Sequence, residues 1–173
     1  MEIRLAEGGD MEAISAVYET ARQYMRRSGN PTQWGTGYPP EEMLMEDIDA
    51  GRLFVCTKDG KIHGVFAFII GADPTYGYIE GAWNNDMPYG TIHRVASDGT
   101  LRGVFRCCFD FCLRTIGNIR IDTHKNNLTM QHVLKKNGFE RCGVIYVEDG
   151  SPRIAYQYTA IPQPRRAPTS VCQ

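Results

Sequence analysis

The sequence predicts an α/β protein with a mixed β-sheet, mostly antiparallel, in which one parallel strand pair lies near the middle of the chain. Two hairpins are indicated by Asp-Gly turns, one at residues 58–61 and one at 148–151. Between them, a strand at 91–97, a helix at 103–116 and a buried strand at 119–121 follow one another. Strand, helix and strand in this order imply a parallel crossover between two antiparallel parts.

The N-terminal part of the chain is predicted to be helical. Apolar residues over 11–25 recur at helical spacing, Asp10 can cap this helix, and Ser28-Gly29 ends it. The segment 30–40 contains prolines and glycines that exclude a regular helix, so we expect an ordered loop there. A second, short helix is predicted at 41–50.

The antiparallel front of the sheet is predicted to come from three strands. Residues 53–57 and 62–70 flank the first Asp-Gly turn and form an antiparallel pair. Residues 76–83 predict a weaker third strand. A turn-rich break at 84–90 then precedes the fourth strand, at 91–97.

The chain after the crossover is predicted to add one helix and the second hairpin. Asn127 can cap this helix, and the Asn-Gly pair at 137–138 is a typical stop signal. Two final strands, at 143–147 and 153–158, flank the second Asp-Gly turn.

The length of the chain fits one domain. A chain of 173 residues can bury roughly 70% of the surface that its unfolded form exposes, so it needs no disulfide or metal to fold. We assign residues 1–160 to this domain. Residues 161–173 contain three prolines and two arginines, and we expect them to form a flexible tail.

Composition argues against several classes of partner. The formal net charge is −1, so no basic field attracts nucleic acid or anionic lipid. Residues 1–6 lack the apolar stretch of a signal peptide, and the longest apolar run, 65–70, is far shorter than the ~20 residues that span a bilayer. We therefore expect a cytoplasmic protein without nucleic-acid or membrane partners.

The six cysteines predict no metal site. No two of them form the Cys-x-x-Cys pair that zinc sites use. Cys107, Cys108 and Cys112 share one amphipathic helical stretch, where a free cysteine acts as a small hydrophobe.

The crossover turn at 97–103 is the first candidate binding site. It leaves a strand and opens a helix, so its free backbone N–H groups and the helix dipole can hold an anion such as a pyrophosphate. Three or four amides suffice, because charge-assisted hydrogen bonds contribute ~1.5–3 kcal/mol each. A purely structural turn that needs two glycines would have the same sequence.

Two motifs resemble those of the GNAT superfamily of N-acetyltransferases, and the resemblance extends from Ile3 to about Tyr158. Residues 100–105 correspond to the loop pattern Gln/Arg-x-x-Gly-x-Gly/Ala, of which only the first glycine is present. Asn127-Leu128-Thr129-Met130 and Lys136-Asn137-Gly138-Phe139 match the pattern Asn-x-x-Ala/Ser followed by Lys-x-Gly-Phe. The resemblance implies the GNAT fold and acetyl-CoA as co-substrate.

The resemblance also implies which residues bind the cofactor. The asparagine at 127 would contact the pantetheine arm, and strand four with the following loop would hold the rest. The full predicted set is Val95, Ser97, Thr100, Leu101, Arg102, Gly103, Val104, Phe105, Arg106 and Asn127.

Besides Thr100, which lies where the family has glutamine or arginine, two positions depart from the family pattern. The family uses a small residue at the position of Phe105, which lets the backbone approach the phosphates closely. Seven residues after Asn127 the family often has a tyrosine that protonates the departing thiolate, and here the residue is Leu134. Leucine cannot donate a proton, so water or another group must do so.

Two residues are candidates for the proton transfer that an amine acceptor requires. His93 lies on strand four, where some relatives place a residue that relays the amine proton, and histidine titrates near neutral pH. Glu80 lies on the predicted third strand and would attract a cationic acceptor. A packed or surface histidine and a solvated carboxylate remain the alternatives for these two residues.

Four aromatic residues lie on loops that would flank the acceptor channel by resemblance. They could bound an apolar or cationic acceptor, although ordinary loop packing explains them as well. These predicted substrate-binding residues are Trp34, Tyr38, Trp83 and Tyr89.

The leading hypothesis is direct acetyl transfer from acetyl-CoA to a primary amine of a small molecule or peptide, without a covalent enzyme intermediate. The alternative is a GNAT-fold module that binds CoA or acyl-CoA as a sensor and has lost turnover. A third interpretation is an unrelated α/β protein whose turn binds another phosphate. Family members often dimerise, so a homodimer is a further expectation.

Overall fold

Residues 1–160 are described by a computed structural model, and the tail predicted at 161–173 lies outside them. The strands are β1 (Glu2–Leu5), β2 (Leu53–Lys58), β3 (Lys61–Ile70), β4 (Glu80–Gly81), β5 (Gly90–Ser97), β6 (Asn118–Thr123), β7 (Glu140–Tyr146) and β8 (Pro152–Thr159). The helices are α1 (Met11–Arg27), α2 (Glu41–Asp49), α3 (Val104–Leu113) and α4 (Leu128–Lys136). No helix in this described part is long and apolar enough to cross a membrane.

The eight strands form one mixed sheet in the order β1-β2-β3-β5-β6-β8-β7-β4. Only β5 and β6 pair in parallel, and α3 makes the crossover between them. All other neighbours are antiparallel, including the two hairpins β2–β3 and β7–β8. This confirms the predicted mostly antiparallel sheet with a central parallel pair.

Helices cover the two faces of the sheet unequally. On one face, α1 and α2 pack on β2, β3 and β5, through an apolar cluster that includes Ile14, Leu44, Leu53, Val65 and Ala67. On the other face, α3 and α4 bury Phe66, Cys108, Phe109, Ile119, Leu134 and Phe139. Each such side chain contributes roughly 1.5–3 kcal/mol by leaving water. Cys108 and Cys112 are fully buried in this core, as predicted for small hydrophobes.

The segment 71–89 replaces α1 and α2 over the far half of the sheet. It packs on β7 and β8 through Tyr76, Ile79, Trp83 and Tyr89, against Ile145 and Ala155. Residues 76–83 were expected to form a third strand, and that expectation is wrong. Pro74–Tyr76 is a 3₁₀ helix, Gly81 adopts a φ of 130°, and only Glu80–Gly81 pairs as a short edge strand.

The N-terminus differs from the sequence expectation in two respects. Glu2–Leu5 forms an edge strand beside β2, which the sequence analysis did not assign. Asp10 precedes α1 but makes no capping hydrogen bond to it. Its carboxylate instead accepts the N–H of Glu7 at 2.9 Å and binds the guanidinium of Arg4, which fixes the turn before the helix.

A β-bulge at Arg94 distorts β5. Val65 pairs with Ala96 and Ala67 pairs with His93, so β5 carries one extra residue opposite β3. Arg94 takes up this residue with a φ of 52°, which is uncommon for a residue with a side chain.

Two helices hold the bulge in place. The hydroxyl of Tyr18 on α1 donates to the carbonyl of Arg94 at 2.9 Å. The guanidinium of Arg94 binds Asp47 on α2, whose other oxygen accepts from Arg52 at 2.5 Å. Asp47 is only 1% exposed, and each of its two oxygens is paired with a guanidinium.

The parallel pair separates soon after it begins. Only Gly90 with Ile119 and Thr91 with Arg120 are in register, and β5 then diverges from β6. The remaining residues of both strands border a V-shaped gap in the middle of the sheet.

We predict that Asp47→Ala lowers the free energy of unfolding by about 3–5 kcal/mol, because the buried guanidinium of Arg94 loses its carboxylate. Urea unfolding followed by circular dichroism measures this change. Asp49→Ala is the matched control, since Asp49 is exposed at the end of the same helix, and it should change stability by less than about 0.5 kcal/mol. Equal stability of the two variants would contradict the role of Asp47.

Candidate active site

The loop between β5 and α3 presents free backbone N–H groups. Gly103 has a φ of 82° and occupies the position before α3. The N–H groups of Val104, Phe105 and Arg106 begin the helix and have no acceptor within residues 1–160. Together with the helix dipole, these groups favour an anion in front of the loop.

A carboxylate fixes the first half of this loop. Asp98 accepts hydrogen bonds from the N–H of Thr100 at 2.9 Å and from its hydroxyl at 2.8 Å. The same carboxylate lies 2.9 Å from Nδ1 of His63 on β3. Burial opposes ionisation of Asp98, but the hydrogen bonds from Thr100 and His63 outweigh it and lower its pKa. The loop is therefore tied to the sheet through a charged Asp98.

A cavity of about 390 Å³ opens beside this loop. It lies where the end of β5, the start of α3, the start of α4 and the last turns of α1 meet. Its lining includes five of the predicted cofactor residues, Val95, Ser97, Val104, Phe105 and Asn127, and also Tyr24, Thr129 and Met130.

The other predicted cofactor residues do not line this cavity. Thr100, Arg102 and Gly103 are exposed on the loop, and Leu101 packs against the core. Arg106 is also exposed and pairs with Asp110 one turn later, at 2.8 Å. These residues follow the outer side of the loop, where only their backbone groups or flexible ends could meet a ligand.

Asn127 joins three parts of the site. Its side-chain oxygen accepts the N–H of Met130 at 3.0 Å, which confirms the predicted cap of α4. Its amide nitrogen donates to Gln33 at 3.0 Å, and Gln33 also accepts from the amide of Asn30 at 2.7 Å. The loop between α1 and α2 is thereby connected to the start of α4.

Phe105 and Leu134, which depart from the family pattern, both lie in the aromatic core. The ring of Phe105 stacks 6.1 Å from Phe109 and meets Phe139 edge-on at 6.3 Å. Its side chain is therefore directed between α3 and α4. Leu134 is fully buried on α4.

His93 is hydrogen-bonded to a carboxylate at the edge of the gap. Its Nε2 lies 2.8 Å from the carboxylate of Asp73, which belongs to the segment over the far half of the sheet. Burial opposes ionisation of Asp73, but hydrogen bonds from His93 and Thr75 lower its pKa to about 2. A neutral imidazole that donates from Nε2 keeps the Nδ1 lone pair for another proton.

Asp122 faces His93 across the gap. Each residue lies two positions beyond the last β5–β6 pair, Thr91 with Arg120, and therefore on the same face of the sheet. The hydroxyl of Tyr76 donates to one oxygen of Asp122 at 2.8 Å. Burial raises the pKa of Asp122, against the opposing effects of His93, Tyr76 and Arg153. Burial, followed by the charge of Asp122, raises the pKa of Tyr76, so its hydroxyl stays a donor.

The predicted catalytic residue Glu80 lies far from this gap. It is exposed on the edge strand β4 and accepts a hydrogen bond from Tyr146 at 2.7 Å. Strands β6, β8 and β7 separate β4 from β5. The structure therefore does not bring Glu80 together with His93.

The four predicted substrate-binding aromatic residues occupy two places. Trp34 is buried against Tyr18 at 5.7 Å, and Tyr38 is exposed 6.4 Å from Trp34. Trp83 and Tyr89 lie over the far half of the sheet, on either side of Arg120. The guanidinium of Arg120 is 4.1 Å from the Trp83 ring and 3.9 Å from the Tyr89 ring. Both rings already hold a cation of the protein.

Several residues of the site were not identified from the sequence. Tyr76 begins the segment that was predicted to be a third strand, and Asp73 lies just before it, where no element was predicted. Asp122 lies on a strand that was predicted from its apolar residues alone. Side chains alternate along β6, so Asp122 lies on the face away from the core residues Ile119 and Ile121. A carboxylate at such a position is normally solvated. Its role depends on the gap, for which the sequence carries no local signal.

Solved structures similar to this chain include acetyltransferases of the GNAT family. An acetyltransferase of the GNAT family from Streptococcus agalactiae is 32% identical, with a TM-score of 0.84 over 92% of this chain and 95% of that one. An acetyltransferase from Staphylococcus aureus is 24% identical, with a TM-score of 0.68 over 92% and 99%. A GNAT-like decarboxylase in complex with isobutyryl-CoA shares the fold at 14% identity and a TM-score of 0.61, over 92% and 99%. No protein-family model and no curated protein match the chain.

We predict that Asn127→Ala lowers the free energy of unfolding by about 1 kcal/mol, because α4 loses its cap. Asn127→Asp keeps the capping oxygen but cannot donate to Gln33, so it should stay close to the unchanged protein in urea unfolding. If both variants lose the same stability, the contact with Gln33, and not the cap, carries the contribution of Asn127.

Proposed function

The chain belongs to the GNAT family of acetyltransferases, and from this we propose that it transfers the acetyl group of acetyl-CoA to a primary amine. The observation that carries the proposal is the gap between β5 and β6, which opens beside the free N–H groups at the start of α3. An extended thioester needs such a passage through the sheet to reach an acceptor on the other side.

The cofactor would bind from the loop inward. Its pyrophosphate would accept from the N–H groups of Val104, Phe105 and Arg106, each bond contributing about 1.5–3 kcal/mol. The pantetheine arm would lie in the cavity beside Val95 and Asn127. An amide of the bulge next to Arg94 would polarise the carbonyl of the acetyl group.

The reaction would be a direct transfer. The amine nitrogen attacks the carbonyl carbon, a C–N bond forms, and the C–S bond breaks with its electron pair leaving on the thiolate of CoA. As the amide forms, the attacking nitrogen loses a second proton to water, and the thiolate takes a proton from water, because Leu134 carries none. The protein contributes the alignment of the amine and thioester.

The amine must lose a proton before it attacks. An alkyl amine with a pKa near 10.4 is only ~1 part in 2,500 neutral at pH 7, which corresponds to ~4.6 kcal/mol. We assign this proton to His93, directly or through water, with Asp73 holding the ring and stabilising the imidazolium. Glu80 has no part in this proposal, because three strands separate it from the gap.

A second candidate function is an acyl-CoA sensor without turnover. Leu134 favours it, since the family often has a proton donor at this position. The two functions share the cofactor site and differ only in what happens on the acceptor side.

We predict that millimolar acetyl-CoA raises the melting temperature, because a ligand at 100 times its Kd adds ~2.7 kcal/mol to the stability. Pantetheine, which lacks the pyrophosphate, should have a much smaller effect. Release of free CoA thiol with a panel of amines then separates the two candidates, since a sensor is stabilised without thiol release. Absence of any stabilisation would contradict both.

We predict that His93→Gln lowers kcat by about 10²–10⁴-fold, because the amine loses its proton acceptor. The remaining rate should rise steeply with pH, as the neutral fraction of the amine increases. His132→Gln is the control, since His132 is exposed on α4. Equal kcat values for the two variants would remove His93 from the reaction.

A further inference from the structure

Two opposite charges lie on the acceptor side of the gap. Asp122 on β6 pairs in register with Ala155 on β8, and Arg153 lies two residues before Ala155. Asp122 and Arg153 are therefore diagonal neighbours on the same face of the sheet, with a separation of roughly 7–8 Å between their positions.

These two charges do not neutralise each other by contact. Both lie in the described part of the chain, and no nitrogen of Arg153 is within 4.0 Å of an oxygen of Asp122. Tyr76 binds one oxygen of Asp122 at 2.8 Å. One terminal nitrogen of Arg153 donates to the hydroxyl of Ser151 at 2.8 Å and to the carbonyl of Pro152 at 3.1 Å. The carboxylate of Asp122 and the guanidinium of Arg153 thus each use only part of their hydrogen-bonding capacity within the protein.

The other side of each group is open. The second oxygen of Asp122 and the remaining nitrogens of Arg153 have no hydrogen-bond partner within residues 1–160, and none of them is completely enclosed by the protein. Both residues are partly buried. Charges that are partly removed from water and only half paired destabilise the folded protein. A ligand with matching charges can offset this cost when it binds.

Two neighbouring groups, Asp73 and His124, do not compete with this pair for a ligand. Asp73 is paired with His93 on the other edge of the gap. Burial, and then the charges of Arg153 and Lys125, lower the pKa of His124, so His124 favours its neutral form beside Arg153. An incoming amine would meet Asp122 opposite His93, and any anionic part of the same molecule would meet Arg153.

We propose that the acceptor is a free amino acid, whose ammonium binds Asp122 and whose carboxylate binds Arg153. This inference rests on the proposed acetyl transfer, because it identifies the acceptor of the same site. A simple alkyl amine would bring no anion to Arg153, and a peptide N-terminus would bring no α-carboxylate to it. Asp122 and Arg153 therefore set specificity, whereas His93 takes the proton.

The test compares amino acids with the amines that lack only the carboxylate, such as L-phenylalanine with 2-phenylethylamine. Binding to the complex of the protein with CoA is measured by calorimetry, and acetylation with acetyl-CoA by thiol release. Amino acids should bind more tightly and show a higher kcat/KM than their matched amines.

Arg153→Met should lower kcat/KM for amino acids about 10- to 100-fold and leave the matched amines nearly unchanged. Asp122→Asn keeps an oxygen for Tyr76 and should weaken both classes, mainly by raising KM. Arg141→Met is the control, since Arg141 is exposed and pairs with Tyr156, a residue of the opposite face.

The outcomes separate this inference from the proposed function. Preferential binding of amino acids without any acetylation would support the acceptor site and overturn the acetyl transfer. Acetylation of amines without a preference for amino acids, or an equal loss for both classes in Arg153→Met, would overturn the acceptor site. Absence of binding by every amino acid in the panel would overturn it as well.

Discussion

The backbone conformation of Arg94 is the constraint on which the site depends. A left-handed residue with a side chain costs roughly 1–3 kcal/mol and persists only where the surroundings enforce it. Here Tyr18 holds the carbonyl and the buried Asp47 holds the guanidinium, so α1 and α2 both fix the bulge. The bulge turns β5 away from β6 after two residue pairs. Without it, parallel pairing could continue and close the gap that the proposed acetyl transfer requires.

The segment 71–89 supplies the second half of the site, and it is anchored by a buried cation. Arg120 is 5% exposed, lies between the rings of Trp83 and Tyr89, and donates to the carbonyl of Asn85 at 2.8 Å. A desolvated cation–π contact contributes about 2 kcal/mol, which offsets part of the cost of burying the charge. This anchor places Asp73 and Tyr76 over β5 and β6. The partners of His93 and Asp122 therefore come from the covering segment and not from the sheet.

The features that were predicted correctly have local signals in the sequence. The Asp-Gly turn at 58–61 and the cap at Asn127 each involve neighbouring residues, and the crossover follows from a change of periodicity. The pair of His93 and Asp73 joins residues 20 positions apart through a segment whose strand was predicted wrongly. Glu80 was a candidate because that strand would have carried it to the cleft. Composition and residue spacing do not show that the pairing of β5 with β6 ends after two residue pairs. The gap and the place of Asp122 beside it could therefore be found only in the structure.

The polar and charged groups beside the gap support the proposed turnover more than they support a passive sensor. The two departures from the family pattern, Phe105 and Leu134, are accommodated by packing in the core. Phe105 lines one wall of the cavity, yet its backbone N–H has no acceptor within the described residues and stays available to a phosphate. On the acceptor side, by contrast, the structure keeps two partly buried carboxylates, an imidazole and a half-paired guanidinium beside the gap. Binding of acyl-CoA needs none of these groups, and two of them, the partly buried Asp122 and the half-paired Arg153, reduce the stability of the fold unless a ligand binds them. An unreactive CoA-binding module would gain stability from apolar residues at these two positions, so Asp122 and Arg153 support the proposed reaction with an acceptor.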